Sequence, residues 1–113
     1  MIATLPQKKC APKGKADRLS PAAAEALLQE LGSGWAVSPA DRLEKVFRFK
    51  DFRGAMDFAD RVGKIAEAEN HHPEITIGWG RARVTLWTHS AEGLSENDFI
   101  LAAKIEAMPG LAA

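Results

Sequence analysis

The sequence predicts an α+β two-layer sandwich: a largely antiparallel four-stranded sheet with three helices on one face, in the order α-β-β-α-β-β-α. Three observations carry this expectation. Three segments repeat apolar residues at helical spacing behind recognisable caps, and four short segments alternate apolar with polar residues. Within each pair of alternating segments the connection is short enough for a tight turn, so paired strands run antiparallel. Strand order is not legible at this level.

Ser20-Pro21 opens the first helix, an N-cap hydroxyl followed by proline at the first helical position, and Ala24, Leu27, Leu28 and Leu31 recur at helical spacing until Gly32 and Gly34 end it. Trp35-Ala36-Val37 forms a short strand, Ser38-Pro39-Ala40-Asp41 a turn, and residues 43–49 a second strand with Phe47 and Phe49 on one face. Asp51 caps a second helix in which Phe52, Ala55, Met56, Ala59, Val62, Gly63 and Ala66 share a face. Phe58 and Ile65 widen that stripe beyond what one sheet face needs, which favours a second buried contact such as a partner subunit. Asn70 suits a left-handed position after the helix, and Pro73 biases His72 towards extended backbone, so the helix stops just before the histidine pair. Residues 74–79 and 82–89 alternate as two strands about a turn at Gly80-Arg81. Ser95-Glu96-Asn97-Asp98 is a capping box for a last helix containing Phe99, Leu101, Ala102 and Ile105, which Pro109-Gly110 closes.

At 113 residues the chain fits one domain. Residues 1–18 hold Pro6, Lys8, Lys9, Pro12, Lys13, Gly14 and Lys15, sustain no apolar period, and read as a flexible arm; the folded domain is expected over residues 19–113. Fifteen basic and fifteen acidic side chains cancel, which disfavours direct nucleic-acid or anionic-membrane binding. No stretch approaches the roughly 18 apolar residues of a membrane span and no signal-peptide pattern opens the chain, so a cytoplasmic protein is expected. Cys10 is the only cysteine, which excludes an intrachain disulfide; it reads as a plain exposed thiol.

All three histidines, His71, His72 and His89, fall within nineteen residues. A neutral imidazole is the side chain best suited to moving protons near neutral pH, so the cluster points to acid/base catalysis. His71 and His72 follow a helix C-terminus, where the macrodipole favours a protonated ring. Adjacent residues in extended backbone point to opposite sides, which favours two roles for the pair over one shared role. A hairpin turning at Gly80-Arg81 sets residue 89 opposite about residue 72, so the three rings should meet at one edge. Glu67, four residues before His71, can reach an imidazole N–H and fix its tautomer. Three histidines beside Glu67 could instead hold zinc, yet adjacent His-His is not the i, i+4 helix spacing of common zinc motifs and no thiolate helps, so no metal is expected. Asp98 has a structural explanation in the capping box and an equal functional one near the histidines. Trp79 and Trp87 read as packing residues that could also wall an aromatic ring. Glu92 and Ser95 read as ordinary loop and cap residues. No nucleophile elbow, phosphate loop or dinucleotide fingerprint is present.

The spaced set Glu67, His71-His72-Pro73, Trp79, His89 and Asp98 resembles the signature of the pterin-4a-carbinolamine dehydratases. Lys45-Val46-Phe47-Arg48-Phe49-Lys50-Asp51-Phe52, Thr88-His89-Ser90 and Gly93-Leu94-Ser95-Glu96-Asn97-Asp98-Phe99 extend the resemblance over residues 19–108. The segment Leu5-Pro6-Gln7-Lys8-Lys9-Cys10 is similar to bacterial members that accompany phenylalanine hydroxylase, although Lys13 stands where a second cysteine often occurs there. The resemblance implies dehydration of 4a-hydroxytetrahydropterin to quinonoid dihydropterin, a hydro-lyase reaction that recycles the tetrahydrobiopterin of aromatic amino acid hydroxylases. It implies His71 and His89 as proton donors, His72 as a substrate-binding group and Glu67 as an orienting one. Asn70, Trp87, Thr88 and Ser90 would line the pterin pocket, with Asp98 and Trp79 in support. It implies no metal and no organic cofactor, the pterin being the substrate, and a homodimer or dimer of dimers functionally coupled to a phenylalanine hydroxylase. The same fold also serves in a transcription cofactor and in Rubisco assembly, so a non-catalytic binding or assembly protein is the alternative.

Overall fold

The computed structural model describes residues 4–109. Its helices are α1 (Pro21–Leu31), α2 (Phe52–Glu69) and α3 (Glu96–Glu106), and its strands β1 (Ala36–Val37), β2 (Leu43–Arg48), β3 (Glu74–Gly78) and β4 (Arg81–Leu86). The order is the expected α-β-β-α-β-β-α. All strand pairs are antiparallel, and the sheet order is β1-β2-β4-β3. The strand that follows α2 therefore takes the outer edge, and β4 returns to pair with β2 at the centre.

One sheet face is apolar and the other polar, which explains the two layers. Leu43 and Phe47 of β2 lie opposite Leu86 and Ala82 of β4, and Val84 lies opposite Ile75 of β3. These side chains form one core with Phe58 and Val62 of α2, on the helix face that also buries Ala55 and Ala66. Phe58 stacks between Phe47 and Phe49, with ring centroids 4.5 and 5.1 Å away. The opposite face carries Glu44, Arg48, Arg81 and Arg83, and among the described residues no helix covers it. The wide stripe of α2 is thus satisfied within the chain at Phe58 and Ile65, while Phe52 and Met56 remain exposed on its outer side.

Two features depart from expectation. The β3–β4 turn is Trp79-Gly80, one residue earlier than Gly80-Arg81, with Gly78 paired to Arg81. Gly80 adopts φ 72°, and a Cβ there would stand 3.1 Å from the Phe49 carbonyl oxygen, so the turn settles where glycine is available. The second departure is larger. Residues 4–18, expected as an arm outside the folded unit, pack along it. A 3-10 turn at Leu5–Gln7 buries Leu5 against α3, Lys104 Nζ donates to the Pro6 carbonyl at 2.9 Å, and Lys8 pairs with Glu96 at 2.7 Å. A single buried leucine and a few directed polar contacts leave no period in the sequence, which is why composition pointed the other way. This packing also accounts for α3, whose residues 97–103 and Ile105 are all buried.

Candidate active site

Asp98 is the centre of the histidine region. It occupies the first turn of α3, entirely buried, and its two carboxylate oxygens divide the work. Oδ2 accepts hydrogen bonds from the Ser95 backbone N–H and the Thr88 hydroxyl, both at 2.9 Å. Because the Thr88 proton is committed to Asp98, the 2.7 Å contact between Thr88 and Ser95 hydroxyls is one in which Ser95 donates. Ser95 Oγ in turn accepts from Asn97 N, capping the helix. Oδ1 remains, and it lies 2.6 Å from His71 Nε2.

His71 reaches that oxygen because α2 ends sharply. Asn70 takes the left-handed conformation (φ 53°, ψ 41°) and its N–H closes on Ala66 and Glu67 carbonyls; His71 N also donates to Ala66 O. The chain leaves the helix axis at that point, so His71 is not at the helical i+4 position from Glu67. Glu67 pairs instead with His72, whose ring lies on the other side of the extended segment. With Nε2–H donated to Asp98, Nδ1 is the His71 atom left to give or take a proton.

His71, Asn70, Thr88 and Ser90 line one cavity of about 210 Å³ together with Cys10, Ala11, Pro12, Lys13, Glu69 and Asn97. His89 is outside this lining. β4 stops at Leu86, and Thr88 bridges to Gly93 through a 2.9 Å bond from Thr88 N to Gly93 O, which turns residues 89–91 into a 3-10 turn, with His89 and Ser90 exposed and Ala91 buried, rather than a strand end. Gly93 permits this fold, since a Cβ there would meet Arg18 Nε at 2.4 Å and Asp41 Oδ2 at 2.5 Å. The His89 ring rests on Trp87 (centroids 4.6 Å apart), and the Arg42 guanidinium covers Trp87 at 4.2 Å. Each of the three imidazoles has its own partner: Asp98 for His71, Glu67 for His72 and Trp87 for His89.

The chain matches the family described as "Pterin 4 alpha carbinolamine dehydratase" over residues 17–108. It belongs to that family. A protein of Rubrobacter xylanophilus named "Putative pterin-4-alpha-carbinolamine dehydratase" is 45% identical over 106 residues, covering 93% of this chain and 98% of its own. A Methylococcus capsulatus protein of the same name is 45% identical over 104 residues, covering 91% of each chain. Among solved structures, a "transcriptional coactivator/pterin dehydratase" from Brucella melitensis aligns with TM-score 0.75 at 36% identity, over 82% of this chain and 99% of that one. A "pterin dehydratase-like protein" described as a RuBisCO assembly factor of the alpha-carboxysome shares the fold (TM-score 0.58, 23% identity, 71% of this chain and 94% of that one).

Within this family fold, the expected pocket residues Asn70, Thr88 and Ser90 do meet at the His71 cavity, and Trp87 does not line it but supports His89. Trp79 is exposed at the tip of the hairpin, remote from the core packing expected of it. Asp98 serves both as cap and as the hydrogen-bond partner of His71. Missed altogether were Asn97, Glu69 and the segment 10–13. Cys10, read as a plain exposed thiol, is half-buried; burial first, then the neighbouring Glu69 carboxylate, pushes its thiol up to about 12, so it is protonated at neutral pH. Among the described residues no helix is long and apolar enough to cross a membrane, and no group of three or more His, Cys, Asp and Glu side chains could hold a metal ion.

Proposed function

We propose that this protein dehydrates 4a-hydroxytetrahydropterin to quinonoid dihydropterin and water by histidine acid/base catalysis, using no cofactor of its own. The observation that carries the proposal is the His71 imidazole, seated on the buried Asp98 carboxylate at the wall of a cavity. In the reaction the C4a–O bond breaks, the departing oxygen takes a proton and leaves as water, the N5 electron pair forms the C4a=N5 bond, and the N5 proton is released. One proton is delivered and one recovered, which suits a group that both donates and accepts. Asp98 holds the His71 ring through Nε2 and leaves Nδ1 for this exchange. His89, held on Trp87 at the exposed loop beside Thr88 and Ser90, is the second proton-transfer group, and His72 with Glu67 contributes to substrate binding.

The same fold supports a binding or assembly role, for which the capping bonds of Asp98 Oδ2 would be enough; the contact of its Oδ1 with the cavity-lining His71 is what favours catalysis. The recycling of tetrahydrobiopterin beside a phenylalanine hydroxylase, a cytoplasmic setting, and a homodimer formed over the exposed Phe52 and Met56 side of α2 belong to the same proposal. The test is to generate the 4a-carbinolamine in a hydroxylase reaction and follow its decay. Wild-type protein should accelerate decay well above the spontaneous rate and His71→Ala should not; no acceleration by wild type would refute the proposal.

A further inference from the structure

The His71 cavity owes one wall to a segment outside the αββαββα core. Residues 10–13 cross the ends of α2 and α3 and supply Cys10, Ala11, Pro12 and Lys13 to its lining. They are anchored on both sides. Before them, Leu5 is buried against α3 and Lys8 pairs with Glu96 at 2.7 Å. After them, Lys15 reaches Glu92 at 3.3 Å and Leu19 N donates to Leu94 O at 2.8 Å.

The middle is fixed by a side chain acting as a strand. Asn97 accepts from Ala11 N–H through Oδ1 at 3.1 Å and donates through Nδ2 to Ala11 O at 2.7 Å, so both backbone groups of Ala11 are satisfied by one amide. Glu69 Oε1 accepts from Cys10 N–H at 2.8 Å. The two residues that hold the wall are chain neighbours of the proposed proton-transfer pair: Asn97 immediately precedes Asp98, and Glu69 comes two residues before His71.

We propose that residues 10–13 form the outer wall of the pterin site and that Asn97 is the positioning residue that sets its distance from His71. This rests on the dehydratase reading above. At about 210 Å³ the cavity is below the roughly 300–1,000 Å³ usual for small-molecule pockets, a size that suits the flat bicyclic ring and leaves a C6 side chain outside. Releasing the wall loosens the grip on the ring without removing the proton-transfer groups. The cost falls on KM and on binding, not on kcat.

The test uses the full chain and two variants, Asn97→Ala and Pro12→Gly, the second leaving both helices untouched, with far-UV circular dichroism to verify folding. Two readouts are taken: kcat and KM for carbinolamine dehydration, and the Kd of 7,8-dihydrobiopterin from quenching of tryptophan fluorescence. Loss of two hydrogen bonds predicts a rise of about tenfold in KM and Kd for Asn97→Ala, with kcat within about twofold, and a smaller rise in both for Pro12→Gly. Unchanged KM and Kd in the folded variants, or a fall in kcat at constant KM, overturns the wall. Wild type that binds the dihydropterin without turnover overturns the dehydratase reading while the Kd comparison still decides the wall, and wild type that does neither overturns both.

Discussion

His71 and His72 are adjacent in the chain and have opposite surroundings. The His71 side chain is 11% exposed and its partner Asp98 is fully buried; His72 is 54% exposed and its partner Glu67 78%. On paper both are imidazole–carboxylate pairs. Physically the first is a fixed geometry, because Asp98 is itself held by Thr88 and Ser95, whereas the second lies in solvent, where ion pairs contribute at most about 1 kcal/mol and both side chains remain free to rotate. A short pair distance is common to both; the rigidity of what stands behind it is not.

Substitutions on the two sides should separate accordingly. The largest effect is expected at His71, where alanine should lower kcat/KM by about 10²–10⁴-fold, the usual contribution of a positioned acid or base, as read by the carbinolamine decay assay. Asp98→Ala should cost activity and also about 3–5 kcal/mol of stability, because it strands a buried imidazole together with the Thr88 hydroxyl and the Ser95 N–H; urea denaturation measures this. His72→Ala should act mainly on KM, by about tenfold or less, with the melting temperature unchanged. Glu67→Gln should be nearly silent in both assays.

Why one side was legible and the other was not follows from the range of the interactions. The helices, their caps and the hairpins come from local patterns, and Asn70, Ser95 and Asp51 sit where their side-chain chemistry puts them. The opposite facing of His71 and His72 also follows from local geometry. The partner of His71 did not, because the i, i+4 rule for Glu67 holds only while the helix continues, and the left-handed Asn70 ends it. Asp98 lies twenty-seven residues further on and becomes a partner only when α3 docks. The alternation that predicts a strand through residue 89 stops at Leu86 for a related reason: the Thr88–Gly93 bridge closes the loop first. The segment 10–13 left no sequence signal because its order comes from Asn97 and Glu69, single polar residues distant in the chain.

The smallest expected effect concerns that segment and pH. The hydrogen bond from Cys10 N–H holds the Glu69 carboxyl below its ordinary range, outweighing desolvation with help from Lys104 and Lys9. A depressed carboxylate stabilises fully above its unfolded pKa, and that share is lost as pH falls through the depressed value. The amide protection factor of Cys10, followed by hydrogen exchange, should therefore hold from neutral pH down to the ordinary carboxylate range and decline progressively from there until the depressed value is passed, while that of Val62 in the core should not follow.

The central claim is that the buried His71–Asp98 pair, not the exposed His72–Glu67 pair, carries the proton transfer. The most direct measurement compares Asp98→Asn with Glu67→Gln in the carbinolamine decay assay, both verified as folded. The account predicts a loss of at least about tenfold in kcat for Asp98→Asn, whose amide no longer offers a charged acceptor to His71, and near wild-type kcat for Glu67→Gln. Wild-type kcat in Asp98→Asn together with a collapse in Glu67→Gln would contradict it.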